Sequence, residues 1–170
     1  MLEKNVTVRK EKTEFTDFTL INTNARSLCP KINSLIDTME ELDAAVAIVT
    51  ETWLAEGKTL EEDRQDLLLG AGISMICRNR KPDIRGMSYG GVAILSRDEL
   101  CKFVQISVPN PDEYEVVLAA GSIQGHSEKL VVVACYIPPN YNTARGRGCL
   151  KYISDCVIEV KRRYKDPPLT

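Results

Sequence analysis

Ala44-Ala45-Val46-Ala47-Ile48-Val49 is an unbroken apolar run, closed by Thr50, Glu51, Thr52, Trp53 and Leu54. The run is too short for an ordinary helix and lacks the alternation of a strand with one wet face. It reads as a strand covered on both sides, the kind found inside an α/β sheet. Glu51 then falls where the strand gives way to loop, which is where a scaffold aims its chemically useful groups.

Working outward, Phe15, Phe18, Leu20 and Ile21 mark a first strand over 15–23 whose end delivers Asn24. Pro30 then opens a segment in which Ile32, Leu35, Ile36, Met39 and Leu42 recur every three or four residues, the stripe of an amphipathic helix. Residues 55–69 carry Glu56, Lys58, Glu61, Glu62, Asp63, Arg64 and Asp66 and read as a solvated loop with a short helix. Strands are expected over 73–77 and 92–95, the second preceded by Gly90-Gly91, which permits close backbone approach. Three β-rich runs follow over 101–108, 114–120 and 130–136, separated by turn residues, and form a consecutive antiparallel meander. Over 147–164 helical spacing returns, with Leu150, Ile153, Val157, Val160 and Tyr164 on one face, until Pro167-Pro168 ends it. This order predicts an α/β architecture in which helices cover a mixed, largely antiparallel sheet.

Composition narrows the function. The 170 residues, 44% of them hydrophobic, suit one domain with a real core. A net charge of −2 argues against a broad basic surface that holds nucleic acid by charge alone, so any phosphate contact is local or assisted by a metal. No window approaches the roughly 18 apolar residues of a membrane span. The N-terminus lacks the apolar core of a secretory signal, so an intracellular location away from membranes is expected. Cys29, Cys77, Cys101, Cys135, Cys149 and Cys156 form no CxxC pair and read as reduced. That spacing and a single histidine, His126, disfavour a zinc site.

The candidate trio is Asn24, Glu51 and Tyr136, the last in Cys135-Tyr136-Ile137-Pro138-Pro139-Asn140. Each has a plainer reading: Asn24 as a turn or cap residue, Glu51 as an acid at a strand end, Tyr136 as a packing ring. Trp53 reads as an anchor beneath the Glu51 loop, and His126 as a solvated turn residue. Arg78, Arg80, Lys81 and Arg85 form the densest positive loop and are candidates for contact with a nucleic-acid backbone, with a solvated hairpin as the equal alternative.

Taken in order, Asn24-Ala25-Arg26-Ser27-Leu28, Lys31, Glu51-Thr52-Trp53-Leu54, Gly90-Gly91-Val92-Ala93-Ile94 and Tyr136-Ile137-Pro138-Pro139-Asn140 resemble the endonuclease/exonuclease/phosphatase superfamily. Within it, the likeness is to the apurinic-endonuclease-like domain of non-LTR retrotransposons. The resemblance implies a partial α/β sandwich of that type, with 1–14 as an N-terminal extension and 15–170 as the N-terminal portion of the domain. It implies that Glu51 binds a divalent cation, Mg²⁺ or Mn²⁺. Asn24 would help set that metal site beside the scissile phosphate, and Tyr136 would support the phosphate. The family's downstream Gly-Asp-x-Asn and Ser-Asp-His motifs do not occur in this sequence. The expectation is therefore little or no turnover by this chain alone, since losing a water-orienting group commonly costs about two to four orders of magnitude.

Three functions follow from the resemblance. The first is a DNA-nicking endonuclease, for which a DNA partner and a nuclear site of action would follow. The second is a phosphoesterase acting on phosphorylated small molecules or lipids. The third is a non-catalytic remnant that binds or homodimerises, or is completed by a missing C-terminal half.

Overall fold

The computed structural model describes residues 18–55, 60–80, 89–108, 114–125, 129–139 and 142–165. The expected extension over 1–14, Lys81, Arg85 and His126 lie outside the described residues.

Two sheets pack face to face between layers of helix. The first has the order β1-β2-β4-β3, built from β1 (Thr19–Asn24), β2 (Ala44–Thr50), β3 (Ile73–Arg78) and β4 (Val92–Arg97). The second is the meander β5 (Cys101–Ile106), β6 (Glu115–Ile123) and β7 (Lys129–Tyr136). Helices α1 (Ile32–Glu41) and α2 (Glu62–Gly70) cover the outer face of the first sheet, and α3 (Thr143–Lys165) covers that of the second. The expected mixed, largely antiparallel sheet is thus divided in two, with β1 and β2 the parallel pair.

Alternation along the strands shows why. In β2 and β4, Ala47, Val49, Ala93 and Leu95 pack under the helices, whereas Val46, Ile48, Val92 and Ile94 face the second sheet. In β6 and β7, Val117, Ala119, Val132 and Ala134 complete that inter-sheet layer, and Val116, Leu118, Val131 and Val133 turn to α3. The central run of β2 is apolar throughout because it serves two cores at once.

Helix α1 buries Ile32 and Met39 and half-buries Leu35 and Ile36, as its spacing predicts. Leu42 does not join them. It lies past the last turn and is 54% exposed, because Asp43 adopts a left-handed backbone (φ +47) that turns the chain into β2.

Helix α3 corrects the expectation in two ways. It begins at Thr143, because Asn142 Oδ1 accepts the Arg145 backbone N–H at 2.8 Å and caps the first turn. Its buried residues are Cys149, Cys156 and Val160, with Tyr152 and Ile153 half-buried, while Leu150 is exposed. Ile153 and Val160 thus lie where the spacing places them, while the rest of the core-facing stripe is supplied by Cys149, Tyr152 and Cys156 rather than Leu150, with the cysteines acting as small hydrophobes. All six cysteines are free. No helix among the described residues is long and apolar enough to cross a membrane.

Candidate active site

The pairing registers bring several strand termini to one end of the sandwich. Asn24 pairs with Thr50 at the ends of the parallel β1 and β2, Thr50 pairs with Val92 at the start of β4, and Glu115 pairs with Tyr136 across β6 and β7. The loops beyond the first sheet are stitched together as a continuation of its ladder. Ala25 N–H donates to Thr50 O at 2.9 Å, Ser27 N–H to Glu51 O at 2.9 Å and Leu28 N–H to Thr52 O at 3.0 Å. Trp53 N–H donates to Gly90 O at 2.9 Å, and Lys31 Nζ donates to the carbonyl of Ala25.

Of the non-glycine residues with positive φ, Arg26 (+44), Ser27 (+85), Glu51 (+53) and Trp53 (+56) all lie in these loops. Left-handed backbone is costly for residues with a Cβ and persists where the surroundings over-determine it. Here it turns successive side chains of the Glu51 loop in different directions: Thr52 is 1% and Leu54 6% exposed, whereas Trp53 is 37% exposed. The anchor beneath the loop is therefore Thr52 with Leu54. Trp53 faces outward against Tyr89, contrary to its expected buried role.

The trio converges. The Tyr136 hydroxyl donates to Glu51 Oε1 at 2.6 Å. Asn24 Oδ1 accepts the Arg26 backbone N–H at 3.2 Å, which orients the amide, and the Asn24 side chain is near enough to act on the Glu51 carboxyl. Tyr136, then Asn24, hold the Glu51 carboxyl below its ordinary range, with Arg26 and the Trp53 indole adding to the effect. Glu51 is thus an ionised carboxylate at neutral pH. Burial, followed by the hydrogen bond and charge of Glu51, pushes the Tyr136 phenol up to about 12, so it remains a donor.

A second carboxylate joins the cluster and was not among the candidates. Glu115 is 9% exposed, accepts the Gly91 N–H at 2.6 Å and pairs with Arg80 Nη1 at 3.2 Å. Burial raises its pKa, and the charge of Glu51 adds to that rise. Gly91 has φ +83, and a Cβ there would lie 2.4 Å from Thr52 Oγ1, so only glycine lets β4 start this close to the Glu51 loop. The signal for Glu115 was present in the sequence: it shares the parity of Val117 and Ala119, which face the other sheet.

The basic candidates divide. Arg80 is half-exposed, donates to Tyr89 O at 3.1 Å and pairs with Glu115, and both Arg78 and Arg80 act on the Glu115 carboxyl. Lys81 and Arg85 fall outside the described residues.

Among the described residues, no group of three or more His, Cys, Asp or Glu side chains is arranged to hold a metal. The donor set of Glu51, Asn24 and Tyr136 is all oxygen and nitrogen with one ionised carboxylate. That suits a hard cation such as Mg²⁺, which takes one or two carboxylates and completes its shell with water and substrate phosphate.

No family model matches the chain, and no curated protein matches it. Solved structures do. The endonuclease domain of TRAS1, a telomere-specific non-LTR retrotransposon, is 14% identical with a TM-score of 0.52, over 81% of this chain and 52% of that one. The Neisseria 3′ phosphatase NExo, solved with a product DNA hairpin, is 16% identical with a TM-score of 0.55, over 85% and 52%. An endonuclease/exonuclease/phosphatase family protein from Leptotrichia buccalis is 14% identical with a TM-score of 0.51, over 79% and 62%. The chain thus spans between 52% and 62% of the length of these structures. At such identities the likeness is one of fold, and the chain carries the endonuclease/exonuclease/phosphatase fold.

Proposed function

We propose that this chain carries the metal- and phosphate-binding part of a phosphodiesterase site that acts on DNA, as in a retroelement endonuclease. The observation that supports the reading most is the 2.6 Å hydrogen bond from Tyr136 to Glu51, which joins the two sheets at their shared end. The DNA assignment is supported by two structural neighbours, one a retrotransposon endonuclease domain and the other solved with product DNA.

In this reading Glu51, with Asn24 beside it, would hold Mg²⁺ or Mn²⁺. A bound divalent cation would polarise the phosphoryl oxygens and offset the charge that builds on them. Glu51 stays ionised because Tyr136 and Asn24 stabilise its charged form. Tyr136 keeps its proton to about 12 and supplies a neutral donor to Glu51 or to a phosphoryl oxygen. Among the described residues, the cluster holds no histidine or free carboxylate placed to activate water, since Glu115 is committed to Gly91 and Arg80. Cation binding is therefore expected to be strong relative to turnover.

The test pairs Mn²⁺ binding, read by electron paramagnetic resonance, with nicking of supercoiled plasmid in Mg²⁺. Glu51→Gln should weaken Mn²⁺ binding by about tenfold or more. Any nicking should be slow and should vanish with that variant and with EDTA. Undiminished Mn²⁺ affinity in Glu51→Gln, or nicking that persists in EDTA, overturns the reading.

A further inference from the structure

Beside Glu51 the surface exposes two aromatic rings for which the proposed chemistry has no use. Trp53 and Tyr89 meet edge to face with centroids 5.0 Å apart and an interplanar angle of 85°. They remain 37% and 48% exposed. Large rings normally surrender that area to a core, and an exposed pair of them marks a contact surface. Neither ring is on a loose tether. Trp53 holds a left-handed backbone, and its backbone N–H is bound to Gly90 O. The Tyr89 carbonyl is held by Arg80.

Two guanidinium groups lie at the same end of the sandwich. Arg26 is exposed and near enough to act on the Glu51 carboxyl, and Arg80 is half-exposed. Exposed rings with guanidinium groups nearby, next to a site proposed to take phosphate, match a ligand that alternates flat π-surfaces with anions at short spacing. A nucleic-acid strand has that chemistry, and its bases offer their faces only where they are unpaired, because duplex stacking covers them.

We propose that Trp53 and Tyr89 form a stacking platform for an unpaired nucleobase of the strand whose phosphate lies at Glu51. The proposal rests on the phosphodiester reading of that site and adds the substrate class: a single-stranded or locally opened strand rather than continuous duplex. Trp53 ties the two functions together, since it lies two residues from Glu51 on the same loop.

Trp53 is the sole tryptophan, so its emission reports this surface alone. The full chain would be titrated, with Mg²⁺ and with EDTA, against three fluorescently labelled ligands: a single-stranded oligonucleotide, an abasic sugar-phosphate oligomer of equal charge, and a duplex. Emission and anisotropy would both be followed. The base-bearing strand should quench Trp53 and bind about tenfold tighter than the abasic one. Tyr89→Ala, which leaves Glu51 and its donors intact, should remove that preference without changing abasic binding. Trp53→Phe, which keeps a ring, should retain the preference in anisotropy.

Equal binding of abasic and base-bearing strands overturns the platform while leaving phosphate binding in place. Absence of binding by every strand overturns both. Duplex binding equal to single-strand binding, without quenching, overturns the substrate class. A concentration-dependent blue shift without nucleic acid, matched by dimer in sedimentation, would mean that the rings bury against a second copy and also overturns the proposal.

Discussion

Glu51 and Glu115 stand at the same end of the sandwich on opposite sheets, close enough that the charge of one raises the pKa of the other, yet their surroundings act in opposite directions. Glu51 is half-buried, and the side chains of Tyr136, Asn24 and Trp53 favour its charged form. Glu115 is buried, and desolvation outweighs its Gly91 and Arg80 partners. Pairs of acids pushed apart in this way divide their roles. On the proposed reading Glu51 is the acid that meets a cation, whereas Glu115 holds the Gly91 backbone.

The largest expected effect comes from breaking the backing of that arrangement. Gly91→Ala would place a methyl 2.4 Å from Thr52 Oγ1 in a left-handed residue. Strain and overpacking together should cost about 3 kcal/mol in urea unfolding. A loss below about 1 kcal/mol would mean that Thr52 moves aside and that the close approach of β4 is not required.

Glu115→Ala follows. It leaves the buried Gly91 N–H without its 2.6 Å acceptor and should cost about 2 kcal/mol, whereas Glu115→Gln retains an acceptor and should cost about half as much. Equal losses would show that the charge, acting through half-exposed Arg80, matters more than the backbone contact. On the other side of the comparison, Tyr136→Phe removes one hydrogen bond to a half-exposed carboxylate and should cost about 1 kcal/mol near neutral pH. It should also raise the Glu51 pKa, which a carbon-13 titration of the glutamate carboxyls would detect.

The two acids were not equally legible in the sequence. Glu51 stood out because the apolar run of β2 ended on it and because its neighbours fell in a recognisable order with Asn24 and Tyr136. Glu115 looked like one more charge in an acidic turn, and only its parity with Val117 and Ala119 betrayed the inward face. The outward turn of Trp53 had no sequence signal, since a left-handed backbone at a bulky residue is imposed by the Gly90 and Ser27 contacts of the assembled loops. The partly misread stripe of α3 has a simpler cause. Ile153 and Val160 were legible, but Leu150 was read as core and Cys149 and Cys156 were passed over because a thiol is not counted as an apolar marker. The strands were legible because alternation and continuous apolar runs record how many cores each one serves.

The smallest effect discriminates most sharply, because the contrast between the acids predicts opposite pH slopes. Glu51 has its pKa lowered by folding, so its stabilisation is present above the ordinary value of 4.5 and is lost as pH falls through the folded value. Glu115 has its pKa raised, so its stabilisation is present below 4.5 and is lost as pH rises through the folded value. Urea unfolding from about pH 3 to about pH 8 should therefore show wild type gaining on Glu51→Gln as pH rises and losing ground to Glu115→Gln over the same range. Because the Glu51 charge contributes to the Glu115 rise, the Glu115→Gln slope should be shallower when Glu51 is already Gln. Slopes of the same sign for both single variants would show that the two carboxylates share one environment, and the division of roles between them would fall.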